Sequence, residues 1–280
     1  MNSNRRSRFP YRHTSRRSSH YALTMVAAAV ALGIALAGCG DQGTGVRAEG
    51  NSKSASEAKN TGTKVLWVGD SIAGAEAPAL GAALKADGVE FKDASSQGGG
   101  TVVAGSEEIT KMIAADTWKQ LAENVESFQP TVVAYQITTY DWGSQDQQRA
   151  AYEKLVKTAE DAGATTVFVP APPIKIDDFY KQHASQMRTA PQAAMGVANN
   201  SGGAAVFLDA AQLWGTDASA ENAQRASDGI HNCQQGAAVF AAWFATELGK
   251  LEGFTPARVD TWAKGSWTSD DQYAKLKCDS

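Results

Sequence analysis

Five short runs rich in β-forming residues recur along the chain, and helix-like stretches separate them. The runs are Lys64–Val68, Val89–Ala94, Thr131–Gln136, Thr165–Val169 and Ala204–Leu208. Several of them are continuously apolar rather than alternating, as in Val167-Phe168-Val169. Continuous apolar runs are typical of strands that are covered on both faces, as in parallel sheets. We therefore expect five buried, mainly parallel strands.

The segments between these runs have the length and composition of helices. They lie near Ala73–Ala86, Trp118–Phe128, Arg149–Ala162 and Ser185–Asn199, and a last one, Gln234–Leu248, follows the final long loop. Alternation of strands and helices predicts parallel strands joined by right-handed crossovers. The expected fold class is α/β: a three-layer α/β/α sandwich with a five-stranded, mainly parallel, doubly wound sheet, forming one domain over residues 63–280.

Polar residues whose side chains can take part in catalysis or binding are concentrated in the loops that follow the predicted strands. Such loops meet at one edge of a doubly wound sheet, where ligands bind. Gly69-Asp70-Ser71 follows the first strand, Ser95–Gly100 the second and Ile137–Trp142 the third, and Asp228–His231 lies in the last long loop. The pattern predicts a single functional site at this edge.

His231 is the best candidate for a base near neutral pH. Asp228 stands three residues before it, across a glycine-containing turn, and can reach back to the Nδ1–H of the ring. That contact would fix the tautomer and leave Nε2 free to take a proton. His183 lies in a polar stretch without such a partner and is predicted to be a solvated surface residue.

Ser71 has two interpretations. It stands where a helix is predicted to begin, so unpaired backbone N–H groups and the positive end of the helix dipole lie near its hydroxyl. This setting suits a nucleophile whose reaction forms an oxyanion. A serine at a helix start is also a common N-cap, and the tripeptide by itself favours that capping role.

Together, Gly-Asp-Ser after the first strand and Asp-x-x-His before the last helix resemble the GDSL/SGNH hydrolase family. The resemblance covers about residues 64–250. It implies a flavodoxin-like fold and a serine esterase activity. In that activity Ser71 attacks an ester carbonyl, His231 is the base, and Asp228 orients His231.

The middle blocks of the family match less closely. The second block of the family supplies a glycine N–H to the oxyanion. At that place this chain has Gly98-Gly99-Gly100, and Gly99 is the expected donor. The alternative is that this run of glycines is only a flexible turn. The third block, usually Gly-x-Asn-Asp, is Thr138-Thr139-Tyr140-Asp141 here. The resemblance therefore implies oxyanion donors at Ser71 and Gly99, with the Tyr140 hydroxyl or the Gln136 amide replacing the asparagine. Two backbone N–H groups alone, at a reduced rate, are the alternative.

Four tryptophans lie outside both the predicted strands and the predicted helices: Trp142, Trp214, Trp262 and Trp267. Trp142 and Trp214 fall in loops expected to border the site, where flat rings could stack on sugar or hold an acyl chain. Trp262 and Trp267 are expected to pin the C-terminal tail to the domain. The sequence contains no His, Cys and carboxylate cluster with metal-ligand spacing, so neither a metal nor a cofactor is predicted.

The N-terminus resembles an export signal. Residues 1–39 hold six arginines and no acidic residue, and an apolar stretch runs from Ala22 to Ala37, shorter than the roughly 20 residues that span a bilayer. Leu36-Ala37-Gly38-Cys39 resembles the lipobox of bacterial lipoproteins. It implies lipidation of Cys39 and anchoring at the outer face of the cell membrane; a secretory signal with an incidental cysteine is the alternative. Residues 40–62 are predicted to be a flexible tether.

The chain that follows this signal is acidic and contains two further cysteines. The 26 basic residues less those six leave 20 against 30 acidic residues, so there is no electrostatic reason to bind nucleic acid. With Cys39 lipidated, Cys233 and Cys278 remain, and we expect a disulfide between them in an oxidising compartment. Two free thiols are the alternative.

These expectations combine into an exported, lipid-anchored serine esterase that acts on acyl esters of envelope glycans or glycolipids. Two alternatives remain open. The same three residues could transfer the acyl group to a sugar hydroxyl, or the protein could be a non-catalytic lipoprotein that binds a glycan or another partner.

Overall fold

The computed structural model describes residues 60–221 and 224–278. The predicted export signal, the lipidation of Cys39 and nearly all of the predicted tether lie outside the described residues. The strands are β1 (Lys64–Val68), β2 (Glu90–Asp93), β3 (Val132–Ile137), β4 (Thr165–Pro170) and β5 (Ala205–Phe207). The helices are α1 (Ser71–Ala86), α2 (Glu108–Phe128), α3 (Gln145–Asp161), α4 (Asp178–Lys181), α5 (Ala184–Asn200), α6 (Ala211–Trp214), α7 (Gln234–Glu252) and α8 (Asp271–Lys275).

The five strands form one parallel sheet in the order β2-β1-β3-β4-β5. The order reverses between β1 and β3, which is the point where ligands bind in sheets of this kind. Val65 is in register with Val132, and Val132 with Thr165, so the ends of the central strands lie side by side. The predicted α/β class and its doubly wound, five-stranded parallel sheet are confirmed.

Successive residues of β1 belong to two different hydrophobic cores. Val65 and Trp67 face the core that α1 and α7 cover. Leu66 and Val68 face the core that α2, α3 and α5 cover. All four side chains are buried, which explains why the strand is continuously apolar in sequence.

The helices differ from the predictions mainly at their ends. Helix α2 begins at Glu108 instead of near Trp118, because its buried residues are sparse (Thr110, Ala114 and Leu121) and its first turns carry little apolar periodicity. The short helices α4, α6 and α8 were not predicted, since single turns have no period to detect. No helix within the part of the chain that the structure describes is long and apolar enough to cross a bilayer.

The C-terminal segment packs against the first of the two cores. Trp262 is buried within that core, and Trp267 packs against it and donates its Nε1–H to the carbonyl of Trp262 at 2.8 Å. The hydroxyl of Tyr273 donates to the carbonyl of Ala75 in α1 at 3.0 Å. Both tryptophans therefore hold the tail on the domain, as expected.

Candidate active site

Ser71 is the first residue of α1, directly after the turn that leaves β1. Asp70 occupies the N-cap and accepts the N–H of Ile72 at 2.9 Å, so the capping interpretation of Ser71 is wrong. The turn requires glycine at position 69, because an added Cβ would lie 2.5 Å from the Cβ of Ala73. With the cap supplied by its neighbour, the Ser71 hydroxyl is left for other contacts.

Asp228 and His231 are joined within one tight turn. The Nδ1 of His231 lies 2.8 Å from Oδ2 of Asp228, while Oδ1 accepts the N–H groups of Ile230 at 2.8 Å and His231 at 3.0 Å. Gly229 adopts a φ of +71° in this turn, a conformation that favours glycine. Burial on its own would raise the pKa of Asp228, but the hydrogen bonds from the ring and the backbone of His231 and from Ile230 lower it overall. The carboxylate form that orients the ring is thereby stabilised.

The turn of His231 reaches the start of α1. The Nε2 of His231 lies 2.9 Å from Oγ of Ser71, although the two residues are 160 positions apart. Carboxylate, imidazole and hydroxyl therefore form one hydrogen-bonded chain at the carboxyl edge of the sheet. In this order they can take a proton from the serine and stabilise the imidazolium that results.

Asp70 links the turn after β1 to the turn after β3. Its Oδ2 accepts both the N–H of Thr139 at 2.9 Å and the hydroxyl of Thr139 at 2.8 Å. Both residues are buried. This contact fixes the segment containing Tyr140 relative to Ser71.

Asp141 fixes the segment containing Tyr140 from the interior of the protein. Its buried carboxylate accepts hydroxyl hydrogen bonds from Tyr152 at 2.6 Å, Tyr135 at 2.8 Å and Thr138 at 3.0 Å, and one from Thr101. Burial raises the pKa of Asp141, and these hydroxyl donors oppose that rise. Asp141 is therefore an internal anchor that the sequence did not reveal as such.

The predicted oxyanion residues Gly99 and Tyr140 lie against each other. A Cβ added at Gly99 would lie 3.2 Å from Cε2 of Tyr140. Burial raises the pKa of Tyr140, and the negative charge of nearby Asp70 adds to the rise. Gln136, the alternative donor, is fully buried and donates its Nε2–H to Oε2 of Glu76 at 2.6 Å. The Gln136 amide N–H is therefore engaged within the protein, and the oxyanion role of Tyr140 stays a prediction.

His183 is not the solvated surface residue that was predicted. It is 3% exposed, its ring stacks on Trp142 with centroids 3.6 Å apart, and its Nδ1 lies 3.4 Å from Oε1 of Glu107. Its neighbours along the chain are polar, but α4 folds the junction with α5 onto the loop after β3. The burial arises from this long-range packing and leaves no local pattern.

The expectation that Trp142 and Trp214 could stack on a sugar is wrong, because both rings are buried. Trp142 is 3% exposed beneath Tyr140 and His183. Trp214 is 1% exposed and stacks on Phe240 in the core under α7. Both rings are structural because apolar rings of this size stabilise most when they are buried.

Cys233 and Cys278 form a disulfide with their Cα atoms 5.6 Å apart. Cys233 is the N-cap of α7 and lies two residues after His231. The bond ties the C-terminal tail to the end of the turn that carries His231. No group of His, Cys, Asp and Glu side chains in residues 60–221 and 224–278 could hold a metal ion.

The sequence model of the family described as "SGNH domain (fused to AT3 domains)" matches residues 39–216, more than half of the chain. This chain belongs to the SGNH family. The matched region holds Ser71, Gly99 and Tyr140 and ends before Asp228 and His231. The chain is therefore a GDSL/SGNH-type ester hydrolase or acyltransferase.

Solved structures similar to this SGNH hydrolase share its fold at low identity. A putative acylhydrolase from Bacteroides fragilis is 14% identical with a TM-score of 0.52, over 70% of this chain and 91% of that one. LAE5, an alpha/beta hydrolase from the metagenome of Lake Arreo, is 18% identical with a TM-score of 0.51, over 69% and 98%. A GDSL-like lipase from Bacteroides thetaiotaomicron is 13% identical with a TM-score of 0.50, over 68% and 89%. No curated protein matches the chain in sequence.

Sequence reasoning missed a second buried polar group of the protein, next to Ser71 and His231. Glu76 in α1 is fully buried and contacts Gln136 and Asn232, the residue after His231. The signal was an acidic residue in the second turn of a helix whose other positions there are alanine and proline. Nothing local identified its partners.

Proposed function

We propose that this hydrolase is a serine esterase that works through an acyl-enzyme, with Ser71 as nucleophile, His231 as general base and Asp228 as the residue that orients His231. The observation that supports it most is the 2.9 Å contact between Oγ of Ser71 and Nε2 of His231, with Asp228 on the far side of the ring.

The reaction has two halves. His231 takes the proton of Ser71 as its Oγ attacks the ester carbonyl, and the imidazolium returns this proton to the departing alcohol. Water then attacks the acyl-enzyme, His231 takes its proton and gives it to Oγ of Ser71, and the acid leaves. In both halves the oxyanion is stabilised by the N–H groups of Ser71 and Gly99 and by the Tyr140 hydroxyl.

Labelling with a fluorophosphonate probe tests this mechanism. The probe should modify the wild-type protein covalently, and Ser71→Ala should abolish the modification. Ser269→Ala, which removes an exposed serine of the tail, is the matched control and should label like the wild type. A folded wild-type protein that resists the probe at every pH would contradict the mechanism and favour the non-catalytic binding protein, an alternative suggested by the missing third-block asparagine.

The proposed substrates are acyl esters of envelope glycans or glycolipids. This assignment follows from the proposed location, which rests on the arginine-rich N-terminus, the apolar stretch and Cys39. Hydrolysis of p-nitrophenyl esters of increasing chain length defines the acyl group, and acetate release from acetylated polysaccharide tests the acceptor class. The glycan assignment fails if simple aryl esters are cleaved while every acylated carbohydrate is left intact.

Lipid anchoring at Cys39 has its own test. Radioactive palmitate should be incorporated into the protein in a bacterial host, and Cys39→Ser should prevent both the labelling and the membrane association. Incorporation that persists in Cys39→Ser would refute this anchor.

Acyl transfer is a second candidate activity, because the family is described as fused to AT3 domains. A sugar hydroxyl would then replace water in the second half of the reaction. Product analysis with a soluble acceptor alcohol separates the two activities: a transferase yields acylated acceptor in excess of free acid, and a hydrolase yields the acid.

A further inference from the structure

Glu76 is a fully buried carboxyl group in α1 that the proposed mechanism does not use. It is the only acidic residue of that helix and lies in the turn after Ser71. A buried carboxyl is costly unless its hydrogen bonds are made. Its contacts therefore indicate what it does.

These contacts join the three segments that build the site. Oε2 of Glu76 accepts from Nε2 of Gln136 at 2.6 Å, near the end of β3. Oε1 accepts from Nδ2 of Asn232 at 3.3 Å. Asn232 is fully buried and directly follows His231. The position of the histidine turn relative to the serine helix thus depends on this pair.

Arg225 contacts the same turn from its N-terminal side. Its Nη1 donates to the carbonyl of Ile230 at 2.9 Å. The backbone of Arg225 pairs with that of Asn232 in an isolated antiparallel β-bridge. The guanidinium also interacts electrostatically with Glu76 and Asp228. The turn carrying His231 is therefore held at its N-terminal end by Arg225 and at its C-terminal end by Asn232, and both of these residues interact with Glu76.

We propose that Glu76 is a positioning residue that holds the His231 turn against α1, so that Nε2 of His231 stays within hydrogen-bonding distance of Oγ of Ser71. This inference rests on the proposed serine esterase function and deepens it.

The ionisation state of Glu76 decides which substitutions preserve its contacts. Burial, partly offset by Arg225 and by the Gln136 hydrogen bond, and reinforced by Asp70, raises its pKa to about 8. The other titratable group facing it is Tyr273. Below that pH the carboxyl is neutral, and Oε1 of Gln136 and Oδ1 of Asn232 have no partner among the described residues. Rotation of either amide lets it accept the Glu76 hydroxyl proton, so a neutral glutamine can make the same bonds.

Two substitutions separate positioning from packing. Glu76→Met keeps a similar volume without polar atoms and should lower kcat for p-nitrophenyl acetate by about 10-fold to 100-fold, because small displacements of catalytic groups cost rates of this size. The KM should stay within about twofold, since Glu76 does not face the substrate. Glu76→Gln should restore kcat to within about threefold of the wild type near pH 7.

The pH profile gives a readout that packing alone would not move. Because Glu76 accepts both hydrogen bonds, its ionisation should strengthen them, so the ratio of the wild-type kcat to the Glu76→Gln kcat should rise as the pH passes about 8. Asp87→Leu is the matched control. It removes another buried carboxyl, at the far end of α1, which accepts the N–H of Ala257. It should leave kcat within about twofold of the wild type.

If Glu76→Met does not fold, Asn232→Leu removes the same hydrogen bond from the other side and should slow kcat to the same extent. The proposal is overturned if Glu76→Met, or Asn232→Leu in its place, keeps the wild-type kcat. It is also overturned if Glu76→Gln is as slow as Glu76→Met. A wild-type protein that does not react with fluorophosphonate would instead refute the esterase function itself. Failure of the positioning role and failure of the esterase function are therefore distinguishable.

Discussion

One carboxylate oxygen of Asp70 accepts both the backbone N–H and the hydroxyl of Thr139. The other oxygen caps α1 through Ile72. The middle residue of the Gly-Asp-Ser motif is therefore a connector: it starts the helix that presents Ser71 and fastens the turn after β3 to it. These contacts give Asp70 a structural role next to Ser71 that involves no proton transfer.

Removing the Asp70 side chain should destabilise the protein more than removing an ordinary helix cap does. We expect Asp70→Ala to lower the free energy of unfolding by about 2–4 kcal/mol, from a lost cap of about 1 kcal/mol and two buried donors left unpaired. Chemical denaturation measures the change. Asp177→Ala, which removes only the exposed cap of α4, is the control and should cost about 1 kcal/mol. Equal losses in the two variants would refute the connecting role.

Asp228 should matter for rate and little for substrate binding. Asp228→Asn removes the acceptor that holds the His231 tautomer, and we expect kcat for a p-nitrophenyl ester to fall by about 10²–10⁴-fold at similar KM. Steady-state kinetics measure this loss. Asp260→Asn alters an exposed aspartate paired with Arg258 and should not change the rate. An unchanged kcat in Asp228→Asn would exclude Asp228 from the triad.

Asp141 should be essential for stability. Replacing it with alanine leaves the hydroxyls of Tyr135, Tyr152 and Thr138 buried without their acceptor. The expected loss in the free energy of unfolding is about 3–5 kcal/mol, since several donors are orphaned at once. Tyr152→Phe removes a single bond and should cost about 1 kcal/mol. A loss in Asp141→Ala no larger than in Tyr152→Phe would contradict the anchor.

The free energy of unfolding should fall as the pH rises from about 5 to 8, because Glu76 is buried in the folded protein. Its pKa is about 8 in the folded protein against 4.5 ordinarily, so between these values the folded state keeps a proton that the unfolded chain releases. Over this window, ionisation of Glu76 lowers the unfolding free energy by up to about 1.4 kcal/mol per pH unit. Glu76→Gln should remove this part of the slope when denaturation is compared at pH 5, 6, 7 and 8. Identical slopes in both proteins would show that the carboxyl titrates normally.

The disulfide should stabilise the domain through the 45-residue separation that it closes. Loop-closure entropy for that length predicts a loss of about 4 kcal/mol in Cys278→Ser. Thermal denaturation of the variant, and of the wild type with and without reductant, measures it. A wild-type protein whose Tm does not respond to reductant would contradict this contribution.

The candidate residues of the site were predictable because two local motifs, taken together, resemble those of the GDSL/SGNH family. Gly-Asp-Ser after an apolar run and Asp-Gly-Ile-His in a loop each contain their own geometry, a turn followed by a helix and a carboxylate three residues from a ring. Strand β1 has the predicted bounds, Lys64–Val68, since a continuous apolar run bounded by a glycine leaves little choice. Helix α2 was predicted short because its first turns lie exposed on the surface.

The residues that support the site were not predictable, because each depends on which elements pack together. Trp214 looked like a residue at the rim of the site and is a core residue, since α7 covers it with Phe240. His183 looked solvated and is stacked on Trp142. The buried carboxyl of Glu76 finds its partners 60 and 156 positions away.

By itself the sequence determined the order of the strands and the longer helices, the parallel sheet, and the serine, histidine and aspartate that meet at its edge. The strands and helices follow from apolar periodicity, and the three residues follow from two short motifs whose combination resembles a known family. Only the tertiary structure decided which polar groups are buried and what satisfies them. The hydrogen bonds of Asp70, Glu76 and Asp141 join segments far apart in the chain, and they exist only once the sheet and its helices have closed.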